Sequence, residues 1–197
     1  MSLPLRISGT IASRGFAEGP LQVLSAAAPT FRPVDSPEAE ARALRDAKAR
    51  AIAELQGLAA TTAGPGADMI EFQIAMLEDD ALTEVTFASI ASGTGAGAAW
   101  TSTLDEQIEA YEAAEDEYFR ARSADLTDIR DRVLRALSRT PDLEVHPGSI
   151  LTGDDMTPSQ FLAIDWVNGG GIALRRGSTT SHVAMLARSR GVPMLVG

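Results

Sequence analysis

The hydrophobic period of this chain changes twice, and that limits what it can fold into. Up to about residue 34 and again after about 140, short aliphatic runs alternate with glycine and proline. Between them, apolar residues recur every three or four positions. One layer of secondary structure cannot carry both periods. The pattern predicts an α/β domain in two sequence pieces, 1–34 and 141–197, interrupted by an all-helical domain of residues 35–140.

In the first piece Ile7, Ile11, Leu21, Val23 and Leu24 are separated by Gly9, Gly15, Gly19 and Pro20, the spacing of short strands and tight turns. In the second, Ser149–Leu151, Ile172–Leu174 and Met194–Val196 predict strands. Thr157-Pro158-Ser159-Gln160 supplies a helix cap, an N1 proline and an N3 glutamine. Another helix is expected from Ser181 to Arg190, ended by Gly191. The N-terminal strands are expected to join the same sheet. Because Gly197 stands directly behind a strand, the expectation is an unfinished sheet and a C-terminally truncated piece of a longer protein.

Ser36 and Pro37 open the helical region as cap and N1 residue, followed by Leu44, Ala47, Ala51, Leu55 and Leu58 at helical spacing. Gly57 and the run 61–66 are expected to end this helix. A second begins near Ala67 with Met69, Phe72 and Met76 on one stripe and Ile70, Ile74 and Leu77 beside it. It is read as bending at Glu78-Asp79-Asp80 before Leu82, Val85 and Ile90. Residues 93–97 read as a loop, and a third helix is expected over 101–120. A fourth follows or continues it through Leu126, Ile129, Val133 and Leu137.

Composition excludes several chemistries. Without cysteine there is no disulfide, thiolate metal site or cysteine nucleophile, and two histidines in 197 residues leave no polyhistidine site, so no metal site is predicted. A net charge of −10 argues against nucleic acid or an anionic membrane as the main partner and suits a basic protein. No apolar run is long enough for a signal sequence or a membrane span, so a cytoplasmic protein is expected.

The one chemical constellation is Gly177-Ser178-Thr179-Thr180-Ser181-His182. Glycine allows a sharp turn, and the hydroxyls and first N–H groups of the following helix can accept phosphate as a neighbour. The positive end of a helix dipole disfavours imidazolium, leaving a ring nitrogen lone pair for nucleophilic attack. Against this stands the ordinary use of a histidine in a turn as a cap or packing group. His146, in Glu144-Val145-His146-Pro147, has no such surroundings and reads as structural or exposed.

Thr180-Ser181-His182-Val183-Ala184-Met185-Leu186-Ala187-Arg188, followed by Gly191-Val192-Pro193 and Gly197, resembles the phosphohistidine signature of the phosphoenolpyruvate-utilising enzymes. Four further stretches are similar to the enzyme I branch, the phosphoenolpyruvate–protein phosphotransferases and multiphosphoryl transfer proteins. They are Arg14–Pro20, Phe72–Leu82, Arg120–Ile129 and Asp155–Ser159. The resemblance implies a swivelling α/β phosphohistidine domain with an inserted helical subdomain that binds the small phosphocarrier HPr. It implies that His182 takes a phosphoryl group from phosphoenolpyruvate and passes it to a histidine of HPr. The phosphoenolpyruvate and Mg2+ site would lie in a C-terminal barrel outside this chain, so no cofactor is expected here. The full-length protein is expected to be a homodimer and this fragment a monomer that does not turn over phosphoenolpyruvate alone.

By the same resemblance the HPr-docking residues are Glu71, Gln73, Met76, Leu77, Glu78, Asp79 and Leu82. Neighbouring positions on one helix point about 100° apart, so Met76 and Leu77 cannot both be central to a core. Departures from the pattern lie at Arg175, Ser178 and Thr179, and at Phe161, where relatives commonly place a threonine to hold the histidine. They motivate two rivals: a phosphohistidine domain for another carrier, of a nitrogen-regulatory or dihydroxyacetone system, and a docking module without efficient transfer.

Overall fold

The computed structural model describes residues 6–24, 36–138 and 145–197. The chain divides into two compact units: Met1–Ala26 with Leu143–Gly197, and Ala27–Asp142. The boundaries expected at 34/35 and 140/141 fall outside the described residues. Strands β1 (Thr10–Ser13) and β2 (Leu21–Val23) come first and belong to the first unit.

The second unit has five helices among its described residues. In α1 (Pro37–Ala59) the Ser36 hydroxyl accepts from the Ala39 N–H at 3.2 Å, with Pro37 at the helix start. Leu44, Ala47, Ala51 and Leu55 are buried on one face. Gly57 does not end this helix: it lies inside the last turn and is exposed.

Residues 65–91 form two helices, α2 (Pro65–Glu78) and α3 (Asp80–Ala91), where the sequence suggests one bent helix. Asp79, extended at φ −70° and ψ 117°, separates them, and its side chain accepts from the Ala81 N–H at 2.9 Å. An aspartate that caps the next helix cannot also continue the preceding one.

Helix α4 (Ala96–Glu112) begins five residues earlier than expected. The Glu40 carboxylate accepts from the Ala96 N–H at 2.7 Å, and Ala96, Gly97 and Ala99 are buried. Small residues thus start this helix against its neighbours instead of forming a loop. Helix α5 (Glu117–Ser138) follows as a separate element. Trp100, Leu104, Leu126, Ile129 and Val133 are almost fully buried and join the α1 stripe in one core, each large side chain contributing about 1.5–3 kcal/mol.

The chain then completes the first unit with β3 (Ile150–Gly153), α6 (Pro158–Ala163), β4 (Gly171–Leu174), α7 (His182–Arg190) and β5 (Met194–Val196). The N-terminal strands do join this sheet. Its order is β1-β5-β4-β3-β2, with β1 antiparallel to β5 and the other pairs parallel. Leu151, Ile172 and Met194 stand in register, as do Leu174 and Val196, and all five are buried on one face. Phe161 and Leu162 of α6 and Val183, Ala184 and Ala187 of α7 are also buried in this unit. Both helix starts follow the sequence: Thr157 and Gln160 form a reciprocal capping box, and Ser181 caps α7.

Candidate functional site: a histidine at the start of α7

Strand β4 runs directly into the segment that carries His182. The backbone turns at Gly177, where φ is 102°, a conformation side chains rarely adopt. The positive φ therefore falls on glycine. Residues 177–180 are exposed, and the Ser178 and Thr180 hydroxyls lie 3.1 Å apart. The Ser181 hydroxyl then accepts from the Ala184 N–H at 3.2 Å, and His182 occupies the first position of α7, half-buried. The first N–H groups of a helix have no partner within it and carry its positive end. An anion brought to this imidazole therefore meets hydrogen-bond donors and two exposed threonines, with the Asp155 carboxylate close to the Gly177 turn.

Arg175 does not lend its charge to this loop freely. Its guanidinium holds Asp154 at 2.7 Å through both Nε and Nη2. That pairing keeps the Asp154 carboxyl below its ordinary range and pushes Arg175 up. Phe161 is fully buried: Trp166 stacks on it with ring centroids 5.0 Å apart, and the Arg190 guanidinium lies 5.9 Å from its ring. Those contacts tie Phe161 to Trp166 and to Arg190, the last residue of α7. A cavity of ≈ 420 Å³ in this unit is lined by Phe16, Trp166, Gly170, Arg190 and Pro193 among others. It lies where the parallel strands begin and does not include His182. His146 is exposed, its ring nitrogen 3.3 Å from Gln22 Oε1.

The residues expected to dock a carrier lie in the helical unit, and burial divides them. Glu71, Glu78 and Asp79 are exposed, while Met76 and Leu82 are half-buried. Leu77 and Gln73 have no exposed surface. This corrects the expectation for both: Leu77 is core, and Gln73 turns inward to donate to Asp128 Oδ2 at 3.0 Å. Val85, beyond the expected set, is 60% exposed on α3.

Sequence reasoning gave no part to Arg188. Its Nη1 donates to Thr179 O at 2.8 Å and to Ala12 O at 2.9 Å, joining the histidine loop to β1. The Ala-Arg pair after the histidine was visible in the sequence, but a contact spanning 176 positions was not.

An α/β unit with a mostly parallel sheet, interrupted by a helical unit and bearing a histidine at a helix start, is the class of protein these features define. Residues 8–122 match the family described as PEP-utilising enzyme, N-terminal, and residues 145–197 the PEP-utilising enzyme, mobile domain. The chain belongs to the PEP-utilising enzyme family. It is 30% identical to the phosphoenolpyruvate-protein phosphotransferase of Cupriavidus necator over 99% of its own length and 37% of that protein. It is 26% identical to multiphosphoryl transfer protein 1 of Escherichia coli K12, over 98% of its length and 24% of that protein. The chain thus spans well under half of these relatives. Among solved structures, an Enzyme I structure determined by NMR superposes with TM-score 0.73 at 25% identity, covering 98% of this chain and 82% of that one. The N-terminal domain of Enzyme 1 – Nitrogen shares the fold with TM-score 0.68 at 23% identity, covering 98% and 83%.

Proposed function

We propose that this chain is the phosphohistidine-bearing and carrier-docking part of a phosphoenolpyruvate–protein phosphotransferase. His182 accepts a phosphoryl group that originates on phosphoenolpyruvate and hands it to a histidine of an HPr-type carrier. The observation that carries the reading is His182 at the first position of α7, half-exposed and preceded by hydroxyl-bearing residues, inside the segment that matches the mobile domain.

In each transfer a ring nitrogen lone pair attacks phosphorus in line while the bond to the leaving group breaks. Backbone N–H groups at the start of α7 and the Ser178, Thr179 and Thr180 hydroxyls of the Gly177 turn would receive the phosphoryl oxygens, with Ser181 holding the helix start. Glu71, Glu78 and Asp79 around Met76 and Leu82 offer an acidic rim on an apolar centre, which suits a basic carrier. The remaining machinery is assigned to the longer relatives' further length: a phosphoenolpyruvate-binding domain, its Mg2+ and a homodimer contact. Among the described residues no three His, Cys, Asp or Glu side chains are placed to hold a metal. No helix among the described residues is long and apolar enough to cross a membrane; a cytoplasmic location and a monomeric fragment belong to the same proposal.

The test incubates the chain with phosphorylated HPr and reads acid-labile phosphate by phosphorus NMR. Label on the wild type and none at position 182 in His182→Ala is expected. A folded chain that binds HPr without taking label would instead favour a docking module. Preference for a different phosphocarrier would favour the nitrogen-regulatory or dihydroxyacetone reading.

A further inference from the structure

The register of β1 against β5 slips between Ile11 and Ser13, so Ala12 falls at a bulge on an edge strand. A bulged residue is left out of the ladder and its backbone groups need another partner. Arg188 Nη1 supplies it, and its second contact is the carbonyl of Thr179, three residues before His182. Side chains on a helix lean toward its N-terminus, which is how a residue on the second turn of α7 reaches back to the loop that opens it. A guanidinium has five N–H donors in a fixed fork, so two carbonyls on one nitrogen leave three more. Among the described residues no carboxylate pairs with Arg188, in contrast to Arg175.

We propose that Arg188 is a positioning residue for phosphoryl transfer at His182. It holds the Thr179 carbonyl against the β1 bulge, so the turn opening α7 presents the imidazole in one orientation beside an uncompensated positive charge. The inference rests on the phosphohistidine reading but not on the identity of the carrier. A guanidinium here stabilises the incoming phosphoryl oxygens electrostatically and fixes the approach geometry, where misplacement by about 1 Å can lower a rate 100-fold.

The test uses phosphoramidate, a small donor that needs no docking surface. A ring nitrogen attacks its phosphorus, the bond to the already protonated amine breaks, and ammonia leaves. His146, exposed in the same unit, gives an internal reference for ordinary imidazole reactivity. The ratio of label on His182 to label on His146 is measured by phosphorus NMR for wild type, Arg188→Met and Arg188→Lys. Amide exchange at Thr180, Ser181 and Met194 is followed alongside. The expected result is a wild-type ratio above one that falls about tenfold or more in Arg188→Met. Arg188→Lys should recover part of it through charge alone, and faster amide exchange should be confined to Thr180 and Ser181. An unchanged ratio in folded Arg188→Met overturns the proposal, as does a wild-type ratio at or below one. Should Arg188→Met not fold, Arg188→Lys decides: its ammonium sits one bond nearer the backbone than Nη1 and falls short of holding both carbonyls, so an unchanged ratio there overturns it equally. Loss of labelling from phosphorylated HPr with the Arg188 effect intact would retire the carrier assignment alone.

Discussion

Gln73 Nε2 donates to Asp128 Oδ2 at 3.0 Å, joining α2 to α5 across 55 positions with neither side chain exposed. A buried hydrogen bond to a charged group contributes about 1.5–3 kcal/mol, and removing one partner leaves the other desolvated. Gln73→Met, which keeps the volume, should therefore lower stability in urea unfolding by about 2 kcal/mol. Gln73→Ala should lose more, because it also opens a cavity. A direct docking role would give the reverse pattern, weaker carrier binding with unfolding unchanged.

Met76 and Leu77 are adjacent but answer to different environments. Leu77 is fully buried, so Leu77→Ala should destabilise the helical unit by about 2–5 kcal/mol. Met76 is half-exposed, so Met76→Ala should move the urea midpoint little and weaken HPr binding in calorimetry. Equal losses of stability would remove Met76 from the proposed docking surface.

Signals confined to a few neighbouring residues were readable in advance. Ser36 before Pro37 and the Thr157–Gln160 box each satisfy helix-end groups within one turn, and each is found as read. Glu78-Asp79-Asp80 reads as a bend, but the full break at Asp79 was not readable, because apolar residues continue at helical spacing on both sides and only the cap geometry separates α2 from α3. Which of Met76 and Leu77 faces inward depends on how α2 is rotated against its neighbours. The inward turn of Gln73 depends on Asp128, and the tie from Arg188 to Ala12 on a bulge between strands distant in sequence. Local caps mark where some helices start, while packing set the faces and moved other ends, as at Gly57 and Ala96.

Lys48 offers a test in pH. Burial, the larger effect, holds its ammonium below the ordinary lysine range, while Asp80 and Asp79 pull the other way. With the folded value below the unfolded one, the unfolded chain binds more protons between the two, and this group's contribution to stability rises with pH there. At neutral pH the charge is present in both states and is a net penalty. Lys48→Met should thus raise the urea midpoint at pH 7, and the gain should shrink on approaching about pH 10. Thr83, whose hydroxyl accepts from Lys48 Nζ at 3.3 Å, keeps a partner in that variant, since it also donates to Asp80 O at 3.2 Å. A lower midpoint at pH 7 would show that the two aspartates outweigh burial.

Gly177 and Gly93 share the same φ of 102°, one beside the histidine and one in the helical unit. A Cβ on Gly177 would meet Val196 Cγ1 at 3.5 Å and Asp155 Oδ1 at 3.9 Å, ordinary contacts, and one on Gly93 would meet nothing within 4 Å. Space is therefore not the obstacle at either position; the backbone conformation is, at about 1–3 kcal/mol. Gly177→Ala and Gly93→Ala should lower stability by similar amounts. Only Gly177→Ala should slow phosphorylation of His182, because relief of its strain must move the turn that leads to Ser181 and the start of α7. Measuring both variants for unfolding and for label at His182 separates strain from site geometry. Equal labelling rates would mean that the turn does not govern how His182 is presented.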